Sequence, residues 1–206
     1  MNVEVYINRL KESGWFEEYP ETLKNIIEGR IREQKRDFWR GLVVGSTPAA
    51  SINEEGDYKE ALRHFSDLSC GVFSPTDIEE TWRFGDDTVT EEIELSFDNH
   101  GNHYWIRFEV SQDVCSPFLE LIDEVIRDSC TPLRFIQLEV GDREDGTQDG
   151  RFVLTTLEAY IKAYQADLLP KWNYDPFDNA EWNYNTESPL TLKWHLIKSE
   201  KTWTKK

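Results

Sequence analysis

No window of this chain approaches the roughly 18 consecutive apolar residues that a membrane-spanning helix requires. The opening Met1-Asn2-Val3-Glu4-Val5-Tyr6 has neither the basic nor the apolar region of a secretion signal. Together these predict a soluble cytoplasmic protein. Cysteine is scarce as well. Cys70, Cys115 and Cys130 are an odd set with wide spacing and no Cys-x-x-Cys pair, which fits a reducing compartment and argues against a disulfide framework. Basic side chains are the third shortage: 23 Lys and Arg face 40 Asp and Glu, a net charge of −17. Nucleic-acid binding draws on Lys and Arg that displace phosphate counterions, so a chain this acidic is not expected to bind nucleic acid.

The signatures of common catalytic sites are missing too. There is no Gly-x-Ser-x-Gly elbow, no Gly-x-Gly-x-x-Gly, no Gly-x-x-x-x-Gly-Lys-Ser/Thr loop and no His-Glu-x-x-His. The neighbouring carboxylates Asp86-Asp87 and Glu91-Glu92 carry little information among 40 acids, and Cys115 has no evident imidazole partner beyond a paper pairing with His100 or His103. The reading is therefore non-catalytic, with no cofactor.

What the chain does have is the material of a core. Hydrophobic residues make up 38% of it and aromatics 13%, including 8 Trp, 8 Tyr and 11 Phe, which sets it apart from disordered acidic tails. A single domain over residues 1–206 is expected. Residues 1–40 read as helical, with one helix over about 3–13, a break at Gly14-Trp15 and a second helix from about 21 to 39. Leu23, Ile27, Ile31 and Phe38 form the second helix's apolar stripe. Its other face gathers Arg30, Arg32, Lys35, Arg36 and Arg40 against Glu33 and Asp37, a cluster that can grip an anion but is read as a solvated or ion-paired face.

Leu42-Val43-Val44 predicts a short strand. Asp57-Tyr58-Lys59-Glu60 has the form of a capping box opening a helix through Leu68, and Ser74-Pro75-Thr76-Asp77 suggests a short helix to Trp82. The clearest segment is a central β-hairpin at about 91–110, in which Ile93, Leu95 and Phe97 alternate outward to a turn at Asp98–Asn102 and Tyr104, Ile106, Phe108 and Val110 alternate back. A helix from Ser116 with the stripe Phe118, Ile122, Val125 and Ile126 should cover the sheet. Strands at Leu133–Val140 and Phe152–Leu154, then a helix from Thr155-Thr156 to about Leu168, complete the body. Hairpins interrupted by helices point to an α+β fold with a mainly antiparallel sheet, N-terminal helices and covering helices. Residues 171–206 form a Trp-rich C-terminal wrap, where Trp172-Asn173-Tyr174 recurs as Trp182-Asn183-Tyr184 and a strand is expected at Leu190–Ile197.

Two motifs superficially resemble metal sites. His100 and His103 with Asp98 are read as turn chemistry, because metal ligands usually need rigid elements and a supporting shell. The loop Asp145–Gly150 places Asp, Thr, Asp and Gly as a calcium loop would, but its twelfth position is Thr156 where a bidentate Glu belongs, so no metal is assigned.

The charge is unevenly spread. Residues 1–40 hold 8 basic and 8 acidic side chains, residues 193–206 hold five Lys against Glu200, and residues 41–192 hold the remaining 10 basic against 31 acidic, a net −21. An acidic body steers a basic protein toward it and raises association rates by roughly 10–1000-fold. The expected function is a non-catalytic acidic protein that binds a basic protein partner, in its most concrete form an immunity protein masking a toxin or nuclease. The expected contacts are Asp86, Asp87, Glu91, Glu92, Asp142, Glu144, Asp145 and Asp149, anchored by Trp82 and Trp105. The alternative is a small hydrolase or a ligand- or carbohydrate-binding domain lined by Trp172, Tyr174, Trp182 and Tyr184.

Overall fold

The computed structural model describes residues 1–47, 55–69, 71–84, 91–109, 116–138, 150–170 and 203–205. Helix α1 (Val3–Glu12) starts at Asn2, whose side chain accepts a hydrogen bond from the Val5 N–H at 2.9 Å. It buries Tyr6, Ile7 and Leu10 on one face. Gly14, at φ +84°, turns the chain in a conformation that other residues rarely adopt. Helix α2 (Glu21–Glu33) then buries Leu23, Ile27 and Ile31. It is shorter than the stripe to Phe38 suggests. The chain leaves the helix at Gln34 and returns as a 3-10 helix (Phe38–Leu42) packed on α2's last turn. Gly41 makes that return possible, since a Cβ there would lie 2.6 Å from both N and Cα of Ile31. Between α1 and α2 sits Glu28, its side chain only 10% exposed, with Lys11 at 2.9 Å and Arg32 at 3.1 Å. Burial pushes its carboxyl pKa up, but the two cations outweigh burial and hold it below the usual carboxylate value.

The strands form two antiparallel sheets, where the sequence suggests one. The first joins β1 (Val43–Thr47), β5 (Arg134–Leu138) and β6 (Gly150–Thr155) in the order β1-β6-β5. The second joins β2 (Thr76–Phe84), β3 (Glu91–Asn99), β4 (Asn102–Glu109) and β7 (Trp203–Lys205) in the order β2-β3-β4-β7. The expected hairpin is β3–β4. It closes more tightly than expected, through His100 and Gly101 alone, both at positive φ (49° and 80°), which matches the twist of the flanking strands. The helix expected at Ser74–Trp82 is instead strand β2, paired with β3 from Thr76↔Asp98 to Phe84↔Glu91. Asp77 at φ +48°, next to a bulge, is incompatible with a first helical turn. The expected strand at Leu190–Ile197 and the wrap over 171–206 lie outside the described residues, apart from β7.

Two helices cover the sheets, α3 (Asp57–Ser69) against β1 and β2 and α4 (Ser116–Asp128) against β4 and β5; after β6 comes α5 (Leu157–Gln165), which Thr156 caps by accepting from the Ala159 N–H at 3.2 Å. The fold is thus α+β with antiparallel sheets. Aromatic rings tie the layers together. Phe65 of α3 meets Phe135 and Phe152 edge-on at 5.0 and 5.1 Å, and Tyr58 meets Phe108 and Phe118, both at 4.9 Å. Phe73 lies 6.1 Å from Phe97 in one sheet and 6.2 Å from Phe135 in the other, so a single ring joins both sheets. Each such pair adds about 0.5–1.5 kcal/mol beyond the area it buries. At the far side, Tyr6 donates to the Leu168 carbonyl at 2.9 Å and Arg9 to the Ala166 carbonyl at 2.7 Å, which joins α1 to the end of α5. Among the described residues, no helix is long and apolar enough to cross a membrane.

Candidate functional site

Strict alternation along β3 and β4 sends Ile93, Leu95, Phe97, Tyr104, Ile106 and Phe108 into the core. The alternate positions make up the opposite face of the sheet: Glu79, Thr81 and Arg83 on β2, Glu92, Glu94, Ser96 and Asp98 on β3, and His103, Trp105, Arg107 and Glu109 on β4. Five carboxylates therefore share this face with two guanidinium groups. Arg83 donates to Glu94 at 2.8 Å, Arg107 binds Glu92 and approaches Glu94 at 3.9 Å, and His103 Nδ1 lies 2.7 Å from Asp98. Two carboxylates remain outside these pairs. Glu79 and Glu109 have no basic side chain within ion-pair reach among the described residues, and Glu109 stands directly opposite Glu92 across the ladder. Like charges placed so disfavour the sheet unless a cation comes between them.

Trp105 sits in the middle of this face, half-buried, with Ser96 and Thr204 opposite it in register. A large, stiff aromatic between small neighbours, ringed by charge, has the composition of an interface anchor with a polar rim. Of the residues expected from the sequence, Glu92 and Trp105 are brought together here. Trp82 is placed on the other face of the sheet, where its indole N–H donates to Glu80 at 2.7 Å, and Glu91 lies opposite Phe84 in register. Asp86, Asp87, Asp142, Glu144, Asp145 and Asp149 lie outside the described residues, as do Trp172, Tyr174, Trp182 and Tyr184. Glu79, Glu94, Asp98 and Glu109 complete the face. The alternation that identifies the hairpin also marks the last three, because each polar position between two core positions must point away from the core.

His100 is half of the tight turn and His103 pairs with Asp98; among the described residues, no three His, Cys, Asp or Glu side chains converge as a metal site would require. Cys115 and its paper pairing with a histidine lie outside the described residues, while Cys130 is exposed. Comparison with protein-family models, curated proteins and solved structures finds no match.

Proposed function

We propose that the chain is a non-catalytic acidic interaction protein that binds a basic protein partner through the outward face of β2, β3 and β4. The observation that carries this reading is the set of five carboxylates around Trp105, two of them, Glu79 and Glu109, without a cation among the described residues. A partner's Lys or Arg between Glu92 and Glu109 relieves their repulsion, and its apolar surface covers the indole. The immunity-protein version, in which the partner is a toxin or nuclease, rests on analogy of size, charge and missing catalytic motifs.

The test is affinity capture from the native host at low and high salt, with three forms of the full chain as bait. The expected result is a basic partner released by salt. Its affinity falls at least tenfold for Trp105→Ala, because a central aromatic anchor typically contributes about 2 kcal/mol or more. Glu109→Lys mainly slows association. Failure to capture a basic protein at low salt, or capture that neither substitution weakens, overturns the proposal.

A further inference from the structure

Strand β2 is the outer strand of its sheet, paired with β3 on one side and with no strand on the other among the described residues. The hairpin decides which of its backbone groups face the open side. A two-residue turn with both φ angles positive makes Asn99 and Asn102 a hydrogen-bonded pair, so the odd positions of β3 turn their N–H and C=O toward β4 and the even positions turn theirs toward β2. Ser96, Glu94 and Glu92 lie opposite Glu79, Thr81 and Arg83. Those three residues of β2 therefore bond to β3, and Glu80 and Trp82 between them direct their backbone groups outward. Among the described residues no hydrogen bond is made to the backbone of either.

Proteins blunt an open sheet edge with Pro, Lys, a bulge or an inward-pointing charge. Strand β2 bulges only at its start, between Thr76 and Glu79, and from Glu79 to Phe84 it is a regular ladder without Pro or Lys. Its inward charge, Glu80, is taken up by the Gly56 and Lys59 N–H groups and the Trp82 indole, so it no longer repels an incoming strand. What the edge does have is a two-fold pattern of charge. Glu79 and Arg83 stand two residues to either side of Thr81, on the same face, and all three are exposed. Against an identical antiparallel strand with Thr81 opposite Thr81, each Glu79 meets an Arg83 and each Glu80 meets a Trp82. Centring the pair on Glu80 instead sets two carboxylates opposite one another, which disfavours that register.

We propose that β2 is a self-association edge, through which two copies of the chain join their sheets into one antiparallel sheet with a two-fold axis at Thr81. Glu80 and Trp82 of each copy then exchange backbone hydrogen bonds with Trp82 and Glu80 of the other. Glu79, Thr81 and Arg83 fall at the non-hydrogen-bonded pairs, where opposing side chains approach most closely. Each Glu79, which has no basic side chain within ion-pair reach among the described residues, gains one. Arg83 donates to Glu94 of its own chain at 2.8 Å, and its guanidinium has further donors for a second carboxylate. Because both copies use the same patch, the contact closes on itself at two copies. Trp105 and Glu109 take no part, so this inference does not depend on the partner-binding reading.

The test is sedimentation equilibrium of the full chain over a range of concentrations, at moderate ionic strength because each copy carries a net −17. A reversible equilibrium between the 24.3 kDa chain and its dimer is expected. Glu79→Arg and Arg83→Glu each weaken the dimer at least tenfold with unchanged far-UV circular dichroism. Both substitutions in one chain restore it, because the ion pairs are then exchanged instead of lost. The register is checked with Thr81→Cys, which mild oxidation with diamide links copy to copy through residue 81, as identified by peptide mass spectrometry. Glu79→Cys forms no link through residue 79, since the two copies of that position stand about 13 Å apart along the strands. A chain that stays monomeric at every concentration overturns the proposal, whatever else then covers the edge. So does a dimer that the single substitutions leave intact or the double one does not restore, or one in which Glu79→Cys links as readily as Thr81→Cys.

Discussion

Glu80 shows how one carboxylate can set the position of two elements. From strand β2 it accepts hydrogen bonds from the Gly56 N–H at 2.9 Å, the Lys59 N–H at 2.8 Å and the Trp82 indole at 2.7 Å. The first two are donors at the start of α3 that no helical carbonyl can reach, and a negative charge there also meets the positive end of the helix dipole. Replacing Glu80 with Ala is expected to lower stability by about 2 kcal/mol, a cap and a charged hydrogen bond together. Glu80→Gln should cost less, because one amide oxygen remains to accept. Urea denaturation measures both, and unchanged stability in Glu80→Ala would refute the capping role. The sequence points instead to Asp57 and Glu60, whose spacing has the form of a local capping box. A cap that arrives from a strand some twenty residues later leaves no local pattern, and this residue was illegible for that reason.

Among the elements, the junction of α2 with its 3-10 helix is the most constrained. A methyl group on Gly41 would have to occupy space held by the Ile31 backbone, which has no rotamer by which to yield. Gly41→Ala is therefore expected to destabilise the fold by about 2–3 kcal/mol, the upper part of the range for overpacking. Gly29→Ala, with nothing within 4 Å of the added carbon, should be neutral or stabilising by thermal melting. The same junction explains why α2 ends early. Ile31 and Phe38 lie at helical spacing in the sequence, but the core is served better when the chain doubles back and buries Leu42 beside the helix. The β3–β4 hairpin and the apolar stripe of α4 are legible because one period persists through each segment. Strand β2 is not. Its inward positions, Ile78, Glu80 and Trp82, include a carboxylate, and Ser74-Pro75 in front of them is also how a helix begins. The outward carboxylates of β3 and β4 on the candidate face follow from the hairpin alternation.

At the scale of the whole molecule, charge and topology separate. The acidic character is concentrated between residues 41 and 192, and the face around Trp105 belongs to the sheet built mostly from consecutive strands β2, β3 and β4. The other sheet is assembled differently. Val43 of β1 pairs with Val153 of β6, across more than half of the chain, with all of β2, β3 and β4 lying between them in sequence. Closing so long a loop costs chain entropy before any contact repays it, whereas the two-residue turn of the hairpin costs very little. The two sheets should therefore form in sequence during refolding. Pulse-labelled hydrogen exchange is expected to show the amides of 93–98 and 103–108 protected before those of 43–47 and 151–155, and simultaneous protection would contradict this order. Until that long closure is complete, the apolar side of β1 has no partner strand, so the interval before β6 arrives is when a newly made chain is most exposed to aggregation.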